Sequence, residues 1–169
     1  FPYTTLFRST HLNAEKFKLQ AGFDAVHVPF KGTPEAISDV IGGRSDWYFS
    51  PVSGALPLVR EGKLTALAVS TPQRSPILPQ VPTTVEAGVP GSDYIFWVGM
   101  IAPGATPPAV IKRLNEEAIK ALNHPEVKER LTKLGAEGLP MTPEAFNAFI
   151  RTEMESAARI AQAASLKAN

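Results

Sequence analysis

The alternation of short apolar segments with helical segments in the first half of the chain constrains the fold most strongly. Residues 24–30, 45–50 and 64–70 are short, rich in β-branched or aromatic residues, and bounded by turn residues. Thr33-Pro34-Glu35 opens a helix after the first segment, and Val52 to Glu61 forms a helix after the second. This β-α-β-α-β order predicts an α/β fold, with a parallel sheet and right-handed crossovers.

The second half of the chain changes character. Tyr94 to Ala102 is the most apolar run, and its bounding turns predict a central strand. The rest is helical, with helices opening at Thr106-Pro107, Pro125 and Thr142-Pro143. We therefore expect two lobes: residues 10–92 form an α/β lobe, and residues 93–169 supply a strand and helices to another.

Two segments do not fit this alternation. Thr71 to Pro90 is rich in proline and predicts a long ordered loop, with a capping box at Thr83 to Glu86. Phe1 to Ser9 resembles the translated adapter of a sequencing library, so residues 1–9 are expected to be a non-native leader. An ordinary short strand at Tyr3 to Phe7 is the alternative.

Composition argues against several classes of function. The chain of 169 residues has 17 basic and 16 acidic residues, which gives no overall field to attract nucleic acid. It has no cysteine, and it lacks the dinucleotide, P-loop, α/β-hydrolase and zincin motifs. The three histidines are not spaced like metal ligands. We expect no catalytic residue, metal or cofactor.

The candidate binding residues lie where strands lead into helices. Ligands of parallel α/β sheets bind at these ends, because the starts of the helices present free backbone N–H groups. Three loops qualify, with the candidate residues Thr10, His11, Phe30, Lys31, Gly32, Ser50 and Ser53. If the loops converge, they surround a space the size of a carboxylate, with no nucleophile–base pair beside it. Lys31 as a solvated lysine and the two serines as helix caps are the alternatives.

These patterns leave three hypotheses open. The leading one is a module that binds a small carboxylate without transforming it. A small α/β enzyme, such as a transferase acting on an anionic substrate, would bind at the same strand ends. A truncated gene product without independent activity is the third.

Seven segments resemble the substrate-binding proteins of tripartite tricarboxylate transporters, the Bug proteins. They are T-H-L-x-A-E-x-F-K at Thr10–Lys18, V-P-F-K-G at Val28–Gly32, I-G-G-R-S-D at Ile41–Asp46, E-G-K-L-T-A-L-A-V-S at Glu61–Ser70, R-S-P-x-L-P-x-V-P-T-x-x-E-A-G at Arg74–Gly88, W-V-G-x-x-A-P-x-x-T-P at Trp97–Pro107 and H-P-E-V-K-E-R-L-x-x-L-G-A at His124–Ala136. The similarity runs in order from Thr10 to the C-terminus.

The resemblance implies a two-lobed clamp of the type II periplasmic-binding-protein kind, of which this chain is a C-terminal fragment. It implies a monomer in the periplasm that delivers a small carboxylate to membrane transporter subunits, with the signal peptide absent from this fragment. Phe30 stands where the family commonly has tyrosine, so one hydroxyl contact to the ligand is lost. The family's P-G-G-x-x-D ligand loop has no counterpart in the sequence, so we expect this chain alone to bind weakly.

Overall fold

The computed structural model of the chain describes residues 9–166. Six helices lie within them: α1 (Ser9–Ala21), α2 (Thr33–Ile41), α3 (Val52–Arg60), α4 (Pro108–Asn123), α5 (Pro125–Lys133) and α6 (Pro143–Ala163). The last five, α2 to α6, correspond to the helices expected from the sequence. None of these six helices is long and apolar enough to cross a membrane.

Local signals set most of the helix ends. Gly22 follows α1 with φ +69°, and its amide donates to the carbonyl of Lys18 at 2.9 Å, as a left-handed C-cap requires. At α2 the cap is Gly32, one residue earlier than the expected Thr33. The Thr33 hydroxyl lies 3.4 Å from the Tyr48 hydroxyl instead, and the Glu35 carboxylate accepts a hydrogen bond from the Lys31 amide at 3.1 Å.

The expected parallel sheet is not confirmed. Within residues 9–166 no strand is formed at 24–30, 45–50, 64–70 or 94–102, and the backbone pairing is limited to one isolated parallel bridge between Val69 and Thr83. A strand needs a neighbouring backbone to accept and donate a series of hydrogen bonds. Among these four segments the described backbone hydrogen bonds comprise only the one from the Tyr94 amide to the Ser70 carbonyl at 2.6 Å. We call residues 24–30 segment A and residues 45–50 segment B.

The described residues divide into two compact units. Residues 9–96 and 157–166 belong to the first, and Trp97–Ser156 forms the second. The assignment of residues 10–92 and 93–169 to two lobes stays a prediction. Of the expected leader, Phe1 to Arg8 lie outside the described residues, whereas Ser9 belongs to α1.

The core of the first unit joins α3 to the predicted loop. Leu56 of α3 packs with Val69, Leu78 and Val81, all of them buried. The loop is fixed by the expected capping box, in which the Thr83 amide donates to Glu86 at 2.8 Å and the Glu86 amide donates to the Thr83 hydroxyl at 3.0 Å. A stretch without regular structure therefore supplies half of this core.

The second unit is organised around Trp97. Its ring packs edge-to-face against Phe146 and Phe149 of α6, with centroids 5.8 and 5.4 Å away, and its indole N–H donates to Glu153 at 3.1 Å. The neighbouring Val98 is 87% exposed, so the expectation of a buried central strand at residues 94–102 is not met. The alternation along this run places Trp97 against α6 and leaves Val98 in solvent.

Truncation of the core side chain in α3 tests this account. Leu56 is 5% exposed, and Leu56→Ala should lower the free energy of unfolding by about 3 kcal/mol, because it leaves a cavity among packed side chains. Leu67→Ala is the matched control, since Leu67 is 71% exposed in the same unit. Urea denaturation measures both, and equal losses for the two variants would contradict the packing described.

Candidate ligand site

A cavity of about 540 Å³ lies in the first unit among α1, α2, segment A and segment B. Four of the predicted site residues line it together: Thr10 and His11 at the start of α1, and Phe30 and Gly32 before α2. Lys31, Ser50 and Ser53 are not among its lining residues. The structure thus brings two of the three predicted loops to one space.

The third predicted loop, which contains Ser50 and Ser53, lies beside the start of α2. A methyl group placed on Gly54 would lie 3.1 Å from Thr33 Cγ2 and 3.8 Å from Ser50 Oγ, so the first turns of α2 and α3 approach closely. The Ser50 hydroxyl donates to the carbonyl of Pro51 at 3.1 Å, and neither helix has a side-chain cap on its first turn. Ser53 is exposed on α3. Two helix N-termini with their partial positive charge therefore lie side by side.

A line of ionisable groups runs along α1 on the wall of the cavity. The imidazoles of His11 and His27 stack with centroids 3.7 Å apart and planes 7° from parallel. His11 Nε2 lies 3.5 Å from the Glu15 carboxylate, which also accepts a hydrogen bond from Lys18 at 3.0 Å. Burial lowers the pKa of His27 below its ordinary value, and the neighbouring His11 lowers it further, whereas Glu15 opposes the shift.

Sequence reasoning missed an aromatic cluster beside the cavity. Phe17 of α1 packs edge-to-face against Phe23, Trp47 and Phe49, with centroids 5.9, 6.1 and 5.5 Å away. Trp47 and Phe49 are two residues apart, which places both on one face of an extended chain. This two-residue spacing in segment B is the sequence signal from which the cluster could have been predicted. The cluster gives the cavity an aromatic wall.

Both cations and carboxylates line the cavity, namely Lys18, Arg44, Glu15, Asp24 and Asp46. Within residues 9–166 no three histidine, aspartate or glutamate side chains are grouped closely enough to hold a metal. Arg44 and Lys18 line the cavity, although each is already paired, with Asp39 at 2.6 Å and Glu15 at 3.0 Å. The hydrogen bond from Ser45, and then the one from Arg44, lower the pKa of Asp39. Each of these two cations is thus already engaged by a neighbouring carboxylate.

The sequence model of the tripartite tricarboxylate transporter family receptor matches residues 4–166. The chain belongs to this receptor family. It is 35% identical over 156 residues to a protein from the tcbD-tcbE intergenic region of Pseudomonas sp. strain P51, covering 92% of this chain and 46% of that protein. It is also 32% identical to a protein from the clcB-clcD intergenic region of Pseudomonas knackmussii, covering 87% of this chain and 88% of that protein.

Solved receptor structures resemble the chain over nearly all of its length. Rpa4515 of R. palustris, solved with adipate, has a TM-score of 0.85 and 30% identity over 94% of this chain and 53% of that one. The periplasmic binding protein BugD gives 0.83 and 31% over 94% and 54%, and MatC of Rhodopseudomonas palustris with bound malate gives 0.75 and 32% over 92% and 53%. The chain thus resembles about half of the fold of these solved proteins, and it spans about half of their length and of the length of the tcbD-tcbE relative.

The histidine stack predicts how the stability of the receptor chain depends on pH. The pKa of His27 is lower in the folded chain than its ordinary value of 6.5, so the unfolded chain binds more protons as the pH falls through this value. Stability should be fully present above about pH 6.5 and decrease below it. The melting temperature should therefore be lower at pH 5.5 than at pH 7.5.

Two substitutions separate His27 from the other titrating groups. His27→Asn should reduce the difference between the two melting temperatures, because it removes the group that must be protonated beside His11. His124→Asn, before α5 and far along the chain, is the matched control and should leave the difference unchanged. The assignment to His27 fails if both substitutions reduce the pH dependence equally.

Proposed function

We propose that the chain is the part of an extracytoplasmic solute-binding receptor that holds one carboxylate group of a small ligand. The observation that supports this proposal is the close approach of Thr33, at the start of α2, to Gly54 on the first turn of α3, next to Ser50. Phe30, Lys31 and Gly32 directly precede Thr33 and are proposed to face the same ligand. Free amides at two helix N-termini attract a carboxylate through hydrogen bonds and the helix dipoles. Thr10, His11 and Ser53 are proposed to complete the site from the adjoining turns.

The family supports a solute-binding function. The matched model describes a transporter receptor, and two of the similar solved proteins carry adipate and malate, which are both small dicarboxylates. A dicarboxylate can place one carboxylate at the α2 and α3 starts and the other on groups outside this chain. We propose capture in the periplasm, as a monomer, followed by delivery to membrane transporter subunits. A transferase finds no support, since the matched family is one of receptors.

The affinity for a small carboxylate is expected to depend on a second lobe that closes over the ligand. Binding proteins of this kind gain affinity when two lobes close and exclude water from the ligand. The 169-residue chain should therefore bind adipate or malate weakly or not measurably in calorimetry, whereas a full-length relative should bind. Micromolar binding by the chain alone would contradict this expectation, and conversion of the ligand, followed by mass, would contradict a receptor.

Weak binding can be located by NMR. Millimolar malate should shift the amide signals of Gly32, Thr33 and Ser53, because their N–H groups are proposed to donate to the carboxylate. Lys31→Gln should reduce these shifts by removing an exposed ammonium group near the loop. Lys112→Gln is the matched control, since Lys112 is 80% exposed on α4. Shifts spread over the surface, or equal effects of both variants, would contradict the proposed site.

A further inference from the structure

Helix α1 presents two different faces to its surroundings. Five of its residues line the cavity: Thr10, His11, Ala14, Glu15 and Lys18. They recur three or four residues apart, as residues on one helical face do. Asn13 and Lys16 lie on the opposite face, because each residue turns an α-helix by about 100°. The rotation of α1 about its axis therefore decides which of its side chains face the cavity.

A chain of polar groups holds the opposite face of α1 at Asn13. The Asn13 side-chain amide donates to the Ser70 hydroxyl at 2.9 Å, and that hydroxyl donates to the Tyr94 carbonyl at 3.0 Å. The Tyr94 amide donates back to the Ser70 carbonyl at 2.6 Å. We call Asn13, Ser70 and Tyr94 the polar relay. It joins α1 to two stretches of chain that are far apart in sequence.

The proton of Ser70 fixes the direction of the polar relay. A serine hydroxyl has one proton to donate, and the Tyr94 carbonyl accepts it. The Ser70 oxygen can therefore only accept from Asn13, so the Nδ2 atom of Asn13 must face it. The amide cannot turn over without losing this bond. The relay thus specifies one orientation of the Asn13 side chain.

Lys16 secures the same face of α1 one turn further along. Its ammonium group donates to the Asp93 carbonyl and lies 3.9 Å from the Asp93 carboxylate. Asn13 and Lys16 are three residues apart, so their side chains are neighbours on the helix surface. Two anchored positions on one face oppose rotation of α1 about its axis.

The polar relay has a cost that argues against a role in stability alone. Asn13 is buried, and within residues 9–166 its Oδ1 atom has no hydrogen-bond partner. A buried polar atom without a partner destabilises a folded chain, and an apolar side chain of similar shape would avoid that penalty. Orientation of the helix accounts for a polar residue at this position, whereas stability does not.

We propose that Asn13, Lys16 and Ser70 are positioning residues that set the rotation of α1 about its axis. This rotation directs Thr10 and His11 toward the ligand. The inference rests on the proposed function, because it takes Thr10 and His11 to be part of the carboxylate site. The three positioning residues are not among the residues that line the cavity, so they act through the helix and not by touching the ligand.

NMR of the whole chain tests this role at Ser70. In the unsubstituted chain, millimolar malate should shift the signals of Thr10 and His11 together with those at the starts of α2 and α3. Ser70→Ala removes the central hydroxyl of the relay. It should reduce the shifts of Thr10 and His11 by about twofold or more, because supporting contacts hold ligand-binding groups in place. The shifts at the starts of α2 and α3 should remain.

Three further variants separate orientation from a general loss of structure. Ser70→Thr keeps a hydroxyl that can accept and donate, so it should restore the shifts of Thr10 and His11. Asn13→Ala should act like Ser70→Ala, and the double variant should have no larger effect than either single one, since both break the same relay. Thr71→Ala is the matched control and should change nothing, because the Thr71 hydroxyl donates within its own loop, to the Gln73 carbonyl at 2.6 Å.

The outcomes distinguish this inference from the proposed function. Undiminished shifts of Thr10 and His11 in Ser70→Ala would overturn the positioning role, and so would a failure of Ser70→Thr to restore them. An equal reduction at the starts of α1, α2 and α3 would also overturn it, because a loosened fold gives that result. Shifts confined to α2 and α3 in the unsubstituted chain would refute this inference alone. If malate shifts no signal at those two helix starts, the proposed function itself is wrong.

Discussion

The edge-to-face contacts of the Phe17 ring join α1 to the segments that surround the cavity. Phe17 of α1 contacts Phe23, which directly precedes segment A, and both Trp47 and Phe49 of segment B. Three separate parts of the chain therefore meet at these rings. Each such aromatic pair contributes about 1 kcal/mol beyond the burial of its area. Because neither segment is held by a sheet in the described residues, this cluster fixes their distance from α1 and hence the width of the cavity.

The helices were predictable from sequence because their signals are local. Pro125 opens α5, and Gly22 and Gly135 follow α1 and α5 with φ of +69° and +70°. These residues act through the conformation of their own backbone, so no distant partner is needed. The strands of segments A and B were a different kind of prediction, since a strand exists only when another backbone supplies its hydrogen bonds. Apolar composition shows that a segment favours pairing and cannot show that its partner is in place.

The positions of the predicted site residues likewise depend partly on local signals and partly on the packing of distant elements. Thr10, His11, Phe30 and Gly32 share one cavity, as expected for loops at the same end of an α/β unit. Ser53 is exposed, because the rotation of α3 about its axis decides where a side chain of its first turn points. The approach of α2 and α3 depends on the lack of a side chain at Gly54, and the stack of His11 on His27 joins residues from two elements. Such pairings become visible only when the elements are placed in space.

The positions of the proposed anion donors depend less on whether segments A and B are paired than the shape of the cavity does. The amides at the starts of α2 and α3 are oriented by hydrogen bonds within each helix, over four residues of sequence. Their mutual position requires only that α2 and α3 touch at Gly54, where any larger residue would press on Thr33 Cγ2. The proposed carboxylate site would therefore not require segments A and B to be paired, whereas selection among carboxylates would require walls that do not move. In this proposal, recognition of charge depends on the helices, and recognition of ligand shape depends on the packing between them.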